Sequence, residues 1–136
     1  MAGSDTKGLS KSNFCFSKEP SLECLRNLQC RFANERDWDK YHKPRNLVLA
    51  LVGEVGELAE IFQWKGEVED GLPDFSAEER EHVGEELSDV LLYLIRLAEK
   101  CQVDLPQAAI RKIKLNSEKY PAERVHGSSK KYTEYP

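Results

Sequence analysis

Long hydrophobic runs are missing from this 136-residue sequence. Its longest charge-free stretch, Asn46 to Gly53, is eight residues, where a membrane-spanning helix needs ~20. Cysteine is sparse and poorly spaced for chemistry. The four, at positions 15, 24, 30 and 101, make no C-x-x-C pair and stand beside no histidine. That argues against a zinc site or a disulfide frame and for reduced thiols in the cytosol. The three histidines, His42, His82 and His126, are too scattered to define a zinc site. The first eleven residues are rich in Ser, Gly and Lys without an apolar segment, so no secretory signal is visible. No polar/apolar alternation runs long enough to build a sheet.

Charge is plentiful, at 32% of residues against 40% hydrophobic, and its distribution says more than its total. The net −4 combines +3 over residues 1–53, −11 over 54–104 and +4 over 105–136. An acidic middle between basic ends does not suit a nucleic-acid duplex, which calls for a continuous basic face. It suits a site that concentrates cations, or simply a solvated acidic face.

Four helical patterns follow one another between an expected flexible arm (residues 1–19) and an expected polar tail (122–136), giving one helical domain over 20–121. The first runs from about Ser21 to Arg36 with Leu22, Leu25, Leu28 and Phe32 at helical spacing. The second runs from about Pro44, tolerated in a first turn, to Trp64. The third starts at Ser76, which forms a capping box with Glu79, and continues to about Cys101. The fourth starts at Asp104 and ends before Tyr120-Pro121, the residue ahead of a proline being biased away from helix. A loop with Asp70-Gly71 and Pro73 occupies 66–75. The second and third helices are apolar almost all round, which calls for burial on several sides. A bundle of about 100 ordered residues has little interior to offer, so packing across subunits is the economical expectation, unless the arm or the first helix covers the extra face.

Two pairs of acids interrupt this apolar text. Glu54 lies in the stripe Leu47, Leu51, Glu54, Leu58, Ile61, with Glu57 three residues on. Glu86 and Asp89 repeat the spacing on the third helix, with Tyr93 following on the same face. Residues three apart on a helix are surface neighbours. No Lys or Arg occurs between Arg45 and Lys65 or between Arg80 and Arg96, so neither pair has a local lysine or arginine to neutralise it. Unpaired buried carboxylates cost several kcal/mol each. Four facing oxygen donors form the kind of cage that Mg²⁺ or Mn²⁺ prefers. The alternative is that these acids are partly exposed or paired with bases from the first or fourth helix. A di-iron site is disfavoured, because Glu79-x-x-His82 is the one Glu-x-x-His within the four helical patterns, Glu123-x-x-His126 falling in the expected polar tail.

The pattern Glu54-Val-Gly-Glu57, then twenty-eight intervening residues, then Glu86-Leu-Ser-Asp89 resembles the E-x-x-E…E-x-x-D signature of the MazG-like all-α nucleoside triphosphate pyrophosphatases. The segments Asn34–Trp38, His42–Asn46, Leu51–Glu60, Phe62–Trp64 and Glu85–Asp89 are similar to the dCTP-cleaving branch of that family in animals. The resemblance spans roughly residues 14 to 135. It implies a homotetrameric α-helical bundle, hydrolysis of dCTP to dCMP and pyrophosphate in nucleotide-pool sanitation, and Mg²⁺ held by Glu54, Glu57, Glu86 and Asp89 as metal ligands and catalytic residues. It places Trp38, His42, Trp64 and Tyr93 in the substrate pocket, together with the rest of the turn, Asp39, Lys40 and Tyr41. Where relatives carry an extra Glu before the first motif acid this chain has Gly53, and where they carry a base-contacting His it has Gln29, whose amide both donates and accepts. Lys112 and Lys119, with Asn116 between them on one face of the fourth helix, are candidate phosphate contacts or an exposed basic face. Two other readings remain: a dUTP-cleaving or broad-specificity pyrophosphatase on the same scaffold, and a non-catalytic helical module that binds a partner through its apolar helices. Neither a nucleic acid nor a membrane is an expected partner.

Overall fold

The computed structural model describes residues 13–129 and residue 133. The order is α1 (Leu22–Glu35), a 3-10 turn (Asp39–Tyr41), α2 (Pro44–Gln63), α3 (Ala77–Lys100), α4 (Leu105–Lys119) and a single-turn α5 (Ala122–Val125), with no strand among the described residues. The expected all-α class and the four long helices are therefore present to within a residue or two. Two details differ from the expectation. The 39–41 turn is helical in its own right, and residues 122–125 of the expected polar tail form α5. Of the expected arm, residues 1–12 lie outside the described residues, and 13–20 carry no helix or strand.

Local chemistry explains the boundaries. The Ser21 hydroxyl accepts from the Cys24 amide at 3.1 Å, and the Asp104 carboxylate accepts from the Gln107 amide at 3.3 Å. Each satisfies one of the orphan donors of a helix start. At α3 the capping box is complete: Ser76 Oγ accepts from the Glu79 amide at 3.1 Å, and Glu79 Oε1 accepts from the Ser76 amide at 3.0 Å. α1 stops where Asp37 takes a left-handed conformation (φ 54°), a region that Asp tolerates better than most residues. The chain then turns back through Trp38 into the 39–41 turn.

α2 and α3 make the principal packing contact, and α1 packs on α3. The stripe Leu47, Leu51, Glu54, Leu58, Ile61 is the inward face of α2: Leu47 is fully buried and the others half-buried. Phe75, from the loop, is buried with its ring 5.8 Å from that of Phe62. The interior is small, comprising Ala33, Leu47, Phe75, Val83 and Ile95. α2 is therefore not buried on several sides within one chain. Val48, Leu49, Val52 and Val55 on α2, Leu87, Leu91 and Leu94 on α3, and Ile110 and Ile113 on α4 all remain exposed. None of the described helices is long and apolar enough to cross a membrane.

Candidate functional site

The two acid pairs meet. Glu54, Glu57 and Glu86 each bring one carboxylate oxygen within 4.8 Å of the others, because α2 and α3 pack along the faces that carry them. Glu54 and Glu86 are half-buried and Glu57 is exposed. Burial raises the Glu54 carboxyl above its ordinary range, and the charges of Glu57, Asp89 and Glu86 push it the same way. Asp89 thus belongs to the same electrostatic cluster, although it is itself exposed and is not among the three closest acids. One oxygen each of Glu54 and Glu86 (Oε2 in both) is buried without a hydrogen-bond partner among the described residues. Such groups are rare because each costs its full desolvation. Two of them facing a third acid fit a hard divalent cation as the missing partner.

The cluster opens on a cleft of about 440 Å³ lined by Glu57, Glu60, Ile61, Lys65, Glu79, His82 and Glu86. Lys65 donates to Glu79 at 2.6 Å and lies over the Phe75 ring at 4.6 Å. Lys65 and the capping box together hold the Glu79 carboxyl down to about 2. His82 Nε2 stands 3.3 Å from Glu86 Oε1. This contact is absent from the sequence reading, although the i, i+4 spacing of His82 and Glu86 was there to suggest it.

The second half of the candidate site is the Trp38–His42 segment. Trp38 is half exposed, with its ring edge-on to Phe32 at 5.7 Å and to His42 at 6.5 Å. Lys40 pairs with Asp37 at 2.9 Å and approaches the exposed Tyr41 ring. Asp39 is engaged within the fold, accepting from Arg96 at 2.9 Å and from Lys100. The Lys100 hydrogen bond and the nearby positive charges depress its carboxyl below the usual range. His42 Nδ1 accepts from Arg96 Nε at 3.0 Å. Desolvation lowers the affinity of the His42 ring for a proton, and the charges of Arg96 and Lys100 add to the effect. Arg96 is 1% exposed and also donates to Glu99 at 2.8 Å, which in turn accepts from Arg26 of α1 at 2.6 Å. This network went unread in the sequence.

The remaining candidates are more scattered. Gln29 on α1 and Tyr93 on α3 are half-buried, while Trp64, at the end of α2, is 86% exposed. Lys112 and Asn116 are exposed on α4, and their side chains make no hydrogen bond or ion pair among the described residues. Lys119, on the same helix, lies 5.6 Å from the Tyr120 ring. Among the described residues, no hydrogen bond or ion pair joins Lys112 or Asn116 to the acids.

A helical bundle in which facing helices converge carboxylates is a scaffold for a divalent cation. Comparison with known proteins gives that class a family. The MazG-like family model matches residues 50–135. The chain is 54% identical to human dCTP pyrophosphatase 1 over 98% of its own length and 78% of that protein's. It is 56% identical to the mouse protein of the same name over 90% and 72% of the two chains. A crystal structure of a pyrophosphatase from Archaeoglobus fulgidus superimposes with a TM-score of 0.63 at 35% identity, covering 79% of this chain and 99% of that one. The chain belongs to the MazG-like family.

Proposed function

We propose that this protein is a Mg²⁺-dependent dCTP pyrophosphatase that hydrolyses dCTP to dCMP and pyrophosphate, removing excess or 5-modified dCTP from the nucleotide pool. The observation that carries the proposal is the pair of buried, partnerless oxygens of Glu54 and Glu86, in a chain 54% identical to a protein named for that activity. Glu54, Glu57, Glu86 and Asp89 hold the cation. Bound there, Mg²⁺ supplies charge neutralisation for the triphosphate and acidifies the water that attacks the α-phosphorus. One of the carboxylates accepts that water's proton. Their combined charge would otherwise repel a triphosphate, so the cluster is inert towards the substrate until it is neutralised.

Trp38, Trp64 and Tyr93 offer aromatic faces for the base, and Gln29 and the 39–42 turn offer polar groups for its edge. Stacking contributes ~1–3 kcal/mol per base but tolerates every base, so discrimination falls to the polar groups. Lys112, Asn116 and Lys119 contact the phosphates. The assembly is a homotetramer; the exposed apolar faces of α2, α3 and α4 support this, since patches of that kind mark interfaces. Four free thiols agree with a cytosolic location.

The test is incubation with dCTP, 5-methyl-dCTP, dUTP, dTTP, dATP and CTP, with and without Mg²⁺. Preferred Mg²⁺-dependent turnover of dCTP and its 5-methyl analogue is expected. Equal turnover of all six, or preference for dUTP, would replace the cytosine assignment. No turnover of any would favour a helical binding module.

A further inference from the structure

Arg96 is a cation in a dry place, 1% exposed, and all three of its nitrogens donate hydrogen bonds. Nε donates to His42 Nδ1 at 3.0 Å, Nη1 to Glu99 at 2.8 Å and Nη2 to Asp39 at 2.9 Å. Those partners lie on two different elements. Asp39 and His42 bracket the 39–41 turn, and Glu99, one turn further along α3, is shared with Arg26 of α1 at 2.6 Å. Arg26 stands three residues before Gln29 on α1. A single planar guanidinium therefore ties the 39–42 turn directly, and α1, the helix that carries Gln29, through Glu99 and Arg26, to one position on α3.

Position along α3 has its own meaning. Arg96 lies seven residues beyond Asp89, two turns along the same face and about 10 Å along the axis, with Tyr93 between them. One helix face thus carries the acids at one level, an aromatic ring at the next and the anchor of the 39–42 turn at the third. That face runs in the direction from the phosphate end of a nucleotide to its base.

The His42 contact also determines which nitrogen bears hydrogen. A guanidinium has donors only, so the ring nitrogen facing Arg96 must carry a lone pair. The neutral ring then holds its proton on Nε2, which has no partner among the described residues. We propose that Arg96 is a positioning residue of the nucleotide site: it fixes the 39–42 turn against α3 and holds His42 as the Nε2–H tautomer, so that His42 meets the nucleotide as a hydrogen-bond donor. This rests on the reading above that the turn borders the nucleotide. The complementary group on the ligand is an acceptor, such as O2 or N3 of cytosine.

The first readout needs no nucleotide and so stands or falls apart from that reading. Long-range ¹H–¹⁵N spectra of the ¹⁵N-histidine-labelled full chain at neutral pH should show His42 with an unprotonated Nδ1 and a protonated Nε2. A tautomer mixture or a protonated Nδ1 in the wild type would overturn the proposal without any variant. In Arg96→Lys, which keeps the charge but not the three-way fork, the His42 signals should move towards a mixture. KM for dCTP should rise on the order of 2- to 10-fold, the effect of one neutral hydrogen bond, with kcat changed less. Unchanged His42 signals, or an unchanged KM in a folded variant, would overturn the positioning role. Correct tautomers in a protein that turns over no nucleotide would instead remove the functional reading and leave the clamp as a structural feature.

Discussion

Glu54→Gln should make the metal-free protein more stable and the metal-loaded protein relatively less so. Glu54, Glu57 and Glu86 offer oxygens within 4.8 Å of one another. At that separation two unit charges repel by about 3.5 kcal/mol at an effective dielectric constant of about 20, and by about 0.9 kcal/mol in bulk water. Glu57 is exposed and its repulsion lies near the lower figure, whereas Glu86 is half-buried and lies between the two. Neutralising Glu54 removes both, for a net gain of about 1–3 kcal/mol. For a chain of this size the melting temperature in EDTA should rise by roughly 3–15 °C. With Mg²⁺ at a thousand times its dissociation constant the wild type gains about 4.1 kcal/mol, while the variant, lacking a ligand, gains little. The order of the two melting temperatures should therefore invert between EDTA and saturating Mg²⁺, read by calorimetry at one protein concentration. A variant less stable than wild type in EDTA, or equal stabilisation of both by Mg²⁺, would refute the reasoning.

Three further outcomes are expected. Trp38→Ala should lower kcat/KM by roughly 5- to 150-fold for every nucleotide turned over, the ~1–3 kcal/mol of one stacking contact, and leave relative base preference nearly unchanged; a loss confined to dCTP would show that Trp38 reads the base edge. Val52→Glu places a charge on the exposed apolar face of α2, where Val52 is 65% exposed, and light scattering after gel filtration should show a smaller particle than wild type; an unchanged mass would exclude that face from the assembly. Glu79→Gln keeps a capping residue at α3 but removes the charge paired with Lys65. The folded-state pKa of Glu79, about 2, lies below the usual carboxylate value, so its contribution is present above pH ~4.5 and is lost as pH falls towards ~2. The variant should melt below wild type at pH 6, and the gap should close on acidification; a gap independent of pH would mean that the ion pair contributes nothing.

What could be seen in the sequence was what is local or periodic. Ser21, Ser76 and Asp104 announce helix starts because a cap and its amide partner lie within three residues. The acid cluster was legible because each pair shares a helix face and each helix turns its apolar stripe to the other. The Arg96 network was not legible, since it joins residues 57 apart (Arg96 with Asp39) and 73 apart (Arg26 with Glu99). An arginine near a helix end reads as a solvated surface residue until its partners fold over it. Phe75 likewise sits in a loop whose Pro and Asp neighbours suggest exposure, and only the meeting of α2 and α3 gives its ring a place beside Phe62. The apolarity of α2 was plain, but one chain turns only one stripe of it inward. The remainder speaks for other copies, which a single sequence does not arrange in space.

The central claim is that four carboxylates on α2 and α3 support attack of water on the α-phosphorus of dCTP. It is tested most directly by turning over dCTP with Mg²⁺ in ¹⁸O-enriched water and following the products by mass spectrometry, with Glu86→Gln alongside. The account predicts dCMP carrying one ¹⁸O, unlabelled pyrophosphate, no turnover in EDTA and none in the variant. Label in pyrophosphate, release of dCDP with orthophosphate, or full activity of Glu86→Gln would contradict it.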